Sequence, residues 1–407
     1  QVTKFKDFDV LWPSGHNGRV AYEKGGFLYV LNLESGNTDK VTVAMNFDNP
    51  HRLPYFKDVS GDISRFGSAI SPDGKRAIFD ARGDIFTVPA KAKEGRTINH
   101  TRTQGVREQN PAWSPDGKWI AYISDKTGDY EIYLMDPKGK KPTKQLTKNH
   151  GVWKPSVTWS PDSKSILFYD MNRVLQIIDI ASGARTVVDK GSYNDITDYS
   201  WSADSKWITY SATEANRINQ LYVYSVAQKK KFPLSTGQYN DQDPIFSKCG
   251  EYLLFLSDRD LDMNFRNGFS NMEFDYVYNK TTRIYAMALT KDAPNLFRDA
   301  DDMEEKSDGD KKAKKDKKGK KGKKGKKDKE KKDDKAKPVK IDFNGIQGRI
   351  SVFPMGTGPY GFIHDLGGKL LYSKRGELRI YDLKEKEDKS VIKGAFVADI
   401  SADNKKM

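Results

Sequence analysis

At 407 residues the chain is too long for one ordinary hydrophobic core and suits one large domain with a further piece attached. Its single cysteine, Cys249, excludes a disulfide framework and a cysteine-built zinc site, and no stretch approaches the roughly 18 uninterrupted apolar residues of a membrane helix. The net charge of +14 suggests nucleic acid until it is localised: residues 306–337 hold 18 lysines against 7 acids, which leaves about +3 for everything else.

The chain begins with Gln1, which is not a translation start, so an upstream segment is expected. Export to the periplasm or beyond is one explanation. The first periodic elements are Val10–Gly15, Arg19–Tyr22, Phe27–Val30 and Lys40–Val43, each a short apolar run of strand type. A turn signature then recurs as Ser71-Pro72-Asp73-Gly74-Lys75, Ser114-Pro115-Asp116-Gly117-Lys118, Ser160-Pro161-Asp162-Ser163-Lys164 and Ser202-Ala203-Asp204-Ser205-Lys206, and in degenerate form as Ser247-Lys248-Cys249-Gly250-Glu251. The steps between these serines are 43, 46, 42 and 45 residues, the size of a propeller blade. Proline presets φ at the second position and glycine suits the last, as a turn between antiparallel strands requires.

The run after each signature is continuously apolar: Ala77-Ile78-Phe79, Trp119–Ile123, Ile166–Tyr169, Trp207–Tyr210 and Tyr252–Leu256. Such a strand is covered on both faces, as in a blade stacked between neighbours. A third strand follows in every repeat (Asp84–Val88, Glu131–Met135, Leu175–Ile178, Gln220–Tyr224, Arg283–Ala286), and then a polar fourth such as Pro142–Thr147. Lysine on that outer strand discourages edge pairing. The pattern predicts an all-β fold: a six-bladed β-propeller of four-stranded blades over 1–298, a Lys-rich linker over 299–338, and the truncated start of a second propeller over 339–407. That second start is read from Lys340–Phe343, Arg349–Phe353, Lys369–Tyr372, Glu377–Asp382 and the signature at Ser401.

The lysine run has no apolar anchor and no interleaved aromatic, so it reads as a solvated linker without specific nucleic-acid binding. Residues 257–282 are an insertion rich in large apolar side chains, expected to pack against the protein itself or another domain.

The search for chemistry yields little. Gly268-Phe269-Ser270-Asn271-Met272 lacks the final glycine of a nucleophile elbow. His16, His51, His100, His150 and His364 have no metal-site spacing, so no catalytic residue, metal or cofactor is expected. Asn99-His100-Thr101 and Asn279-Lys280-Thr281 match glycosylation sequons. In the connection entering the third repeat, Arg102, Arg107 and Glu108 face where a channel would lie; the connection entering the second offers Asp62 and Arg65. Arg107, and secondarily Arg102, are the candidate residues for gripping a peptide carboxylate.

The long phrases Phe56–Ile63, Ser71–Arg76, Ala81–Pro89 and Gly105–Ser114 closely resemble the amino-terminal propeller of tricorn-type serine proteases. Thr282–Ala286 and Val339–Ile346 extend the similarity over nearly all of the chain except the lysine run. The resemblance implies a non-catalytic propeller region that guides oligopeptides, followed by a second propeller, a PDZ-containing module and a serine-protease core in a cytoplasmic homo-oligomer. A free-standing TolB-like protein-binding propeller and a prolyl-oligopeptidase-type propeller are the alternatives.

Overall fold

The computed structural model describes residues 3–44, 58–91, 93–148, 152–260, 263–265, 276–278, 281–297, 337–395, 399–401 and 406–407. The described residues form β-strands joined by turns and two short 3-10 segments, Ser60–Asp62 and Ile346–Gly348. The chain divides into two compact units, Gln1–Asp58 and Val59–Met407.

The first unit is one four-stranded antiparallel sheet, Val10–His16, Arg19–Lys24, Phe27–Asn32 and Thr38–Lys40. Tyr22 stacks on Tyr29 at 5.6 Å, and Lys24 pairs with Asp7 at 2.8 Å.

The second unit holds six four-stranded sheets. In chain order, the first comprises Ile63–Ile70, Arg76–Ala81, Asp84–Pro89 and Ile98–Asn99, and the second Glu108–Trp113, Ile120–Ser124, Glu131–Met135 and Lys144–Gln145. The third comprises Thr158–Trp159, Ser165–Tyr169, Val174–Asp179 and Arg185–Lys190, and the fourth Tyr199–Trp201, Trp207–Thr213, Asn219–Ser225 and Lys230–Pro233. The fifth is Asp241–Phe246, Tyr252–Ser257, Arg283–Ala288 and Ile350–Val352; the sixth is Tyr360–Asp365, Lys369–Lys374, Glu377–Asp382 and Glu387–Lys393.

The signature works as a hydrogen-bonded knot. Its serine hydroxyl donates to the aspartate two residues on (Ser71 to Asp73 2.8 Å, Ser114 to Asp116 2.7 Å, Ser160 to Asp162 2.6 Å, Ser202 to Asp204 2.7 Å). The same hydroxyl accepts from the amide five residues on, at 2.9 Å in Arg76, Trp119, Ser165 and Trp207. The fourth position always has positive φ: 63° at Gly74, 70° at Gly117, 61° at Ser163, 59° at Ser205. Where serine replaces glycine there, its hydroxyl accepts the amide of the aspartate in the preceding sheet's turn, Asp116 to Ser163 at 3.0 Å and Asp162 to Ser205 at 3.1 Å. The serine's backbone cost is offset by a bond between sheets.

Continuous hydrophobicity is explained by alternate residues facing opposite neighbours. From the strand Tyr252–Ser257, Leu253 and Phe255 pack with Leu221 and Val223 of the fourth sheet, whereas Leu254 and Leu256 pack with Leu370 and Tyr372 of the sixth. Burial of one such side chain stabilises by about 1.5–3 kcal/mol, so an inner strand of this kind contributes on both of its faces.

The strand assignment after the lysine run differs from expectation. Residues 340–343 form no strand, and Ile350–Val352 is the fourth strand of the fifth sheet, with Tyr285 opposite Val352 and Met287 opposite Ile350. Val339 and Ile346 join the cluster of Leu221, Leu253 and Leu289, and the Arg349 guanidinium donates to the Ala288 carbonyl at 3.1 Å. Residues 289–349, with the lysine run among them, therefore connect two strands of one sheet instead of linking two rings. The physical reason is that Arg283–Ala288 has an edge to pair, while lengthening the connection costs only about 0.6 kcal/mol per doubling. The expected apolar packing of the 257–282 insertion lies outside the described residues apart from its two ends and the pair Met263–Phe265 and Tyr276–Tyr278.

The last described residues return to the first sheet of this unit. Lys406 closes the Ser401 turn by donating its amide to the Ser401 hydroxyl at 3.0 Å, and its ammonium donates to the Gly74 carbonyl at 2.7 Å. The Asp399 carboxylate accepts from the Ile70 amide.

Candidate functional site

A polar cleft of about 400 Å³ opens where the first and second sheets of the Val59–Met407 unit meet, lined by Asp62, Ser64, Asp80, Arg82, Arg107, Gln109 and Asp125. Its floor is set by a tight hairpin, Arg82-Gly83, both at positive φ (55° and 86°), as a two-residue turn with right-handed strand twist demands. A Cβ on Gly83 would lie 3.2 Å from the Val106 carbonyl and 3.4 Å from Arg107 Cα. That close approach lets Glu108 donate its amide to the Gly83 carbonyl at 2.8 Å. Arg107 is fixed on its other side by its own amide, which donates to Asp125 Oδ1 at 2.7 Å.

Asp80 is buried, and its Oδ1 has no hydrogen-bond partner. Burial pushes its carboxyl up from the ordinary range, and the nearby Arg107 charge pulls the other way. Arg82 and Arg107 are exposed. The cleft thus presents two exposed guanidinium groups together with the buried Asp80, the half-buried Asp125 and the exposed Asp62, a mixed lining that matches a peptide end better than a uniformly anionic ligand.

Arg107 lines this cleft, and so does Asp62 from the neighbouring connection. Arg102 does not line this cleft; it is exposed, at φ 54°, with its amide donating to Asn99 Oδ1 at 3.2 Å. The side chain of Arg65 lies outside the described residues. Glu108 turns to a different cleft, lined also by His100, Tyr122 and Tyr133. Asp80, Arg82 and Asp125 escape sequence reasoning because they come from a strand, the hairpin after it and a turn more than 40 residues further on.

Among the described residues no group of three potential metal ligands occurs, and no helix is long and apolar enough to cross a membrane. His51 and His150 lie outside the described residues. His100 meets the Thr87 hydroxyl at 2.9 Å, and burial, then the Arg76 charge, push its pKa down. The Asn99 amide is engaged, donating to Asp84 at 2.9 Å; Asn279 lies outside the described residues.

Residues 67–407 match the family model described as the tricorn protease second beta propeller domain. The chain belongs to this tricorn propeller family. The family named from the sequence phrases is thus the one matched, and within it the match is to the second propeller where the phrases resembled the first. The tricorn protease of Thermoplasma acidophilum is 23% identical over 307 residues, covering 72% of this chain and 26% of that protein. A Bacillus subtilis protein named as the uncharacterized peptidase YuxL is 30% identical over 213 residues, covering 49% of this chain and 30% of its own length. The crystal structure of the tricorn protease superposes with a TM-score of 0.68 over 99% of this chain and 37% of that one, at 17% identity, which shows the shared fold. This tricorn-type chain spans between a quarter and a third of the curated relatives' length.

Proposed function

We propose that this chain is a non-catalytic propeller region of a tricorn-like serine peptidase, guiding oligopeptide substrates or products by holding a peptide carboxylate at Arg107, with Arg82 beside it. The observation that carries the reading is the cleft itself, in which two exposed guanidinium groups flank a buried, incompletely bonded Asp80 in a chain of the tricorn propeller family. Arginine suits the task because its fork meets a carboxylate bidentately. Arg102, outside the cleft, would act only as a long-range attraction.

The same proposal places a PDZ-containing module and a serine-protease core in the whole protein, in a cytoplasmic homo-oligomer. It also treats Val59–Met407 as one ring, with the Lys406 ammonium donating to the Gly74 carbonyl. The test is fluorescence anisotropy with a labelled octapeptide, free acid against carboxamide. Amidation and Arg107→Ala should each weaken binding at least about fivefold, roughly 1 kcal/mol. Equal binding of acid and amide would refute the carboxylate reading, and binding only of a folded protein would favour a free-standing docking propeller.

A further inference from the structure

The second cleft, about 400 Å³ between the connection at His100–Thr103 and the face of the second sheet, presents different chemistry. Glu108 borders it and is only 2% exposed. One of its oxygens accepts from the Thr103 hydroxyl; the other, Oε2, is buried with no well-formed hydrogen bond among the described residues, the neighbouring Thr101 hydroxyl donating instead to Asp84 at 3.1 Å. The Tyr133 hydroxyl, also bordering this cleft, is likewise buried and unpartnered. The rings of Tyr122 and Tyr133 stack beside them with centroids 5.7 Å apart, and Met135 completes the apolar wall.

A buried carboxylate oxygen without a donor is costly, of the order of 1–3 kcal/mol or more for a charged group. Two such orphans in one cleft therefore call for a ligand that brings donors. A carboxylate or phosphate would face repulsion from Glu108. A metal ion finds no group of three ligands among the described residues. A primary ammonium suits this lining: it brings N–H donors for Glu108 Oε2 and the Tyr133 oxygen and a positive charge that neighbouring aromatic rings favour.

We propose that this cleft is a binding site for a primary ammonium group of an oligopeptide, either its α-amino end or a lysine side chain. The inference extends the peptide reading above to a second site and uses none of the Arg107 cleft. Burial pushes the Glu108 carboxyl up from the ordinary range, against the Thr103 hydrogen bond, and an ammonium partner reverses that pressure. Lys126 stands exposed at the margin as the like charge that an incoming ammonium must pass.

The experiment is calorimetric titration of the full chain with tetra-alanine amide, its N-acetyl form, and N-acetyl-lysine amide. None carries a carboxylate, so failure here is separate from failure at Arg107. Binding by tetra-alanine amide, lost at least tenfold on acetylation, supports an α-amino site; binding by N-acetyl-lysine amide supports a side-chain site. Glu108→Gln and Tyr133→Phe should each weaken binding, Glu108→Gln by at least tenfold, whereas Lys126→Ala should tighten it. If neither free amine binds, or if acetylation makes no difference, the proposal is wrong, and this comparison on the unaltered chain does not depend on any variant folding.

Discussion

Lys154 offers the sharpest test of how the sheets are joined. It is one of the largest fully buried side chains, 1% exposed, and its ammonium donates to the carbonyls of Tyr130 at 3.0 Å and Val152 at 2.8 Å. It also lies 3.2 Å from Glu131 Oε2, itself 1% exposed, so an ion pair spans the second sheet and the segment entering the third. Lys154→Met keeps the stem's volume but removes the ammonium from beside the buried Glu131 carboxylate. Breaking such a pair from one side costs about 3–5 kcal/mol. With an unfolding entropy of about 2 cal/mol/K per residue, a unit of this length has about 0.7 kcal/mol/K, so Tm should fall by about 4–7 °C. Glu131→Gln in the same chain should recover most of the loss, since the buried negative charge disappears and the Thr147 hydroxyl keeps a partner. Scanning calorimetry of the single and double variants measures this. A Lys154→Met chain melting within 1 °C of the parent, or a double variant no better than the single, would refute the reasoning.

Two further outcomes follow from packing and charge. Burial pushes Asp198 up to about 6, against hydrogen bonds from the Ser211 hydroxyl at 2.5 Å and the Asp243 amide at 2.9 Å. Its folded pKa exceeds the unfolded value of about 3.9, so its favourable contribution is complete below pH 4 and is lost as pH rises through about 6. Relative to Asp198→Asn, the parent should therefore lose about 2–3 kcal/mol between pH 4 and pH 7 in urea unfolding; parallel pH profiles would contradict this. Gly67 has no room for a side chain, because a Cβ there would come within 1.7 Å of Asp80 Oδ1. Gly67→Ala should destabilise by about 1–3 kcal/mol by displacing Asp80, and Asp80→Ala in the same chain should relieve it, as read from paired thermal melts.

Most strands were legible because each rule behind them is local. The Ser-Pro-Asp-Gly knots close within five residues, and the apolar runs that follow them need only two neighbouring sheets to be buried. What sequence reasoning missed is non-local. Ile350–Val352 reaches its partner Arg283–Ala288 across the lysine run, and nothing in its three residues says which edge it will fill. Tyr360–Asp365 went unrecognised as the first strand of the last sheet because its turn, at Asp365–Gly368, carries no serine knot. At the Arg107 cleft, Arg107 and Asp62 were readable as charges on successive connections. Asp80 was not, since a carboxylate on a strand that alternates between faces looks solvated until Gly67 is seen to admit it to the interior.

The central claim is binding of oligopeptides without their cleavage, and a single time course tests it. A labelled octapeptide free acid, mixed with excess chain, should raise fluorescence anisotropy within mixing time and hold that value for hours. An anisotropy that rises and then decays would mean that the peptide is cut, and one that never rises would mean that this propeller region does not hold peptides at all.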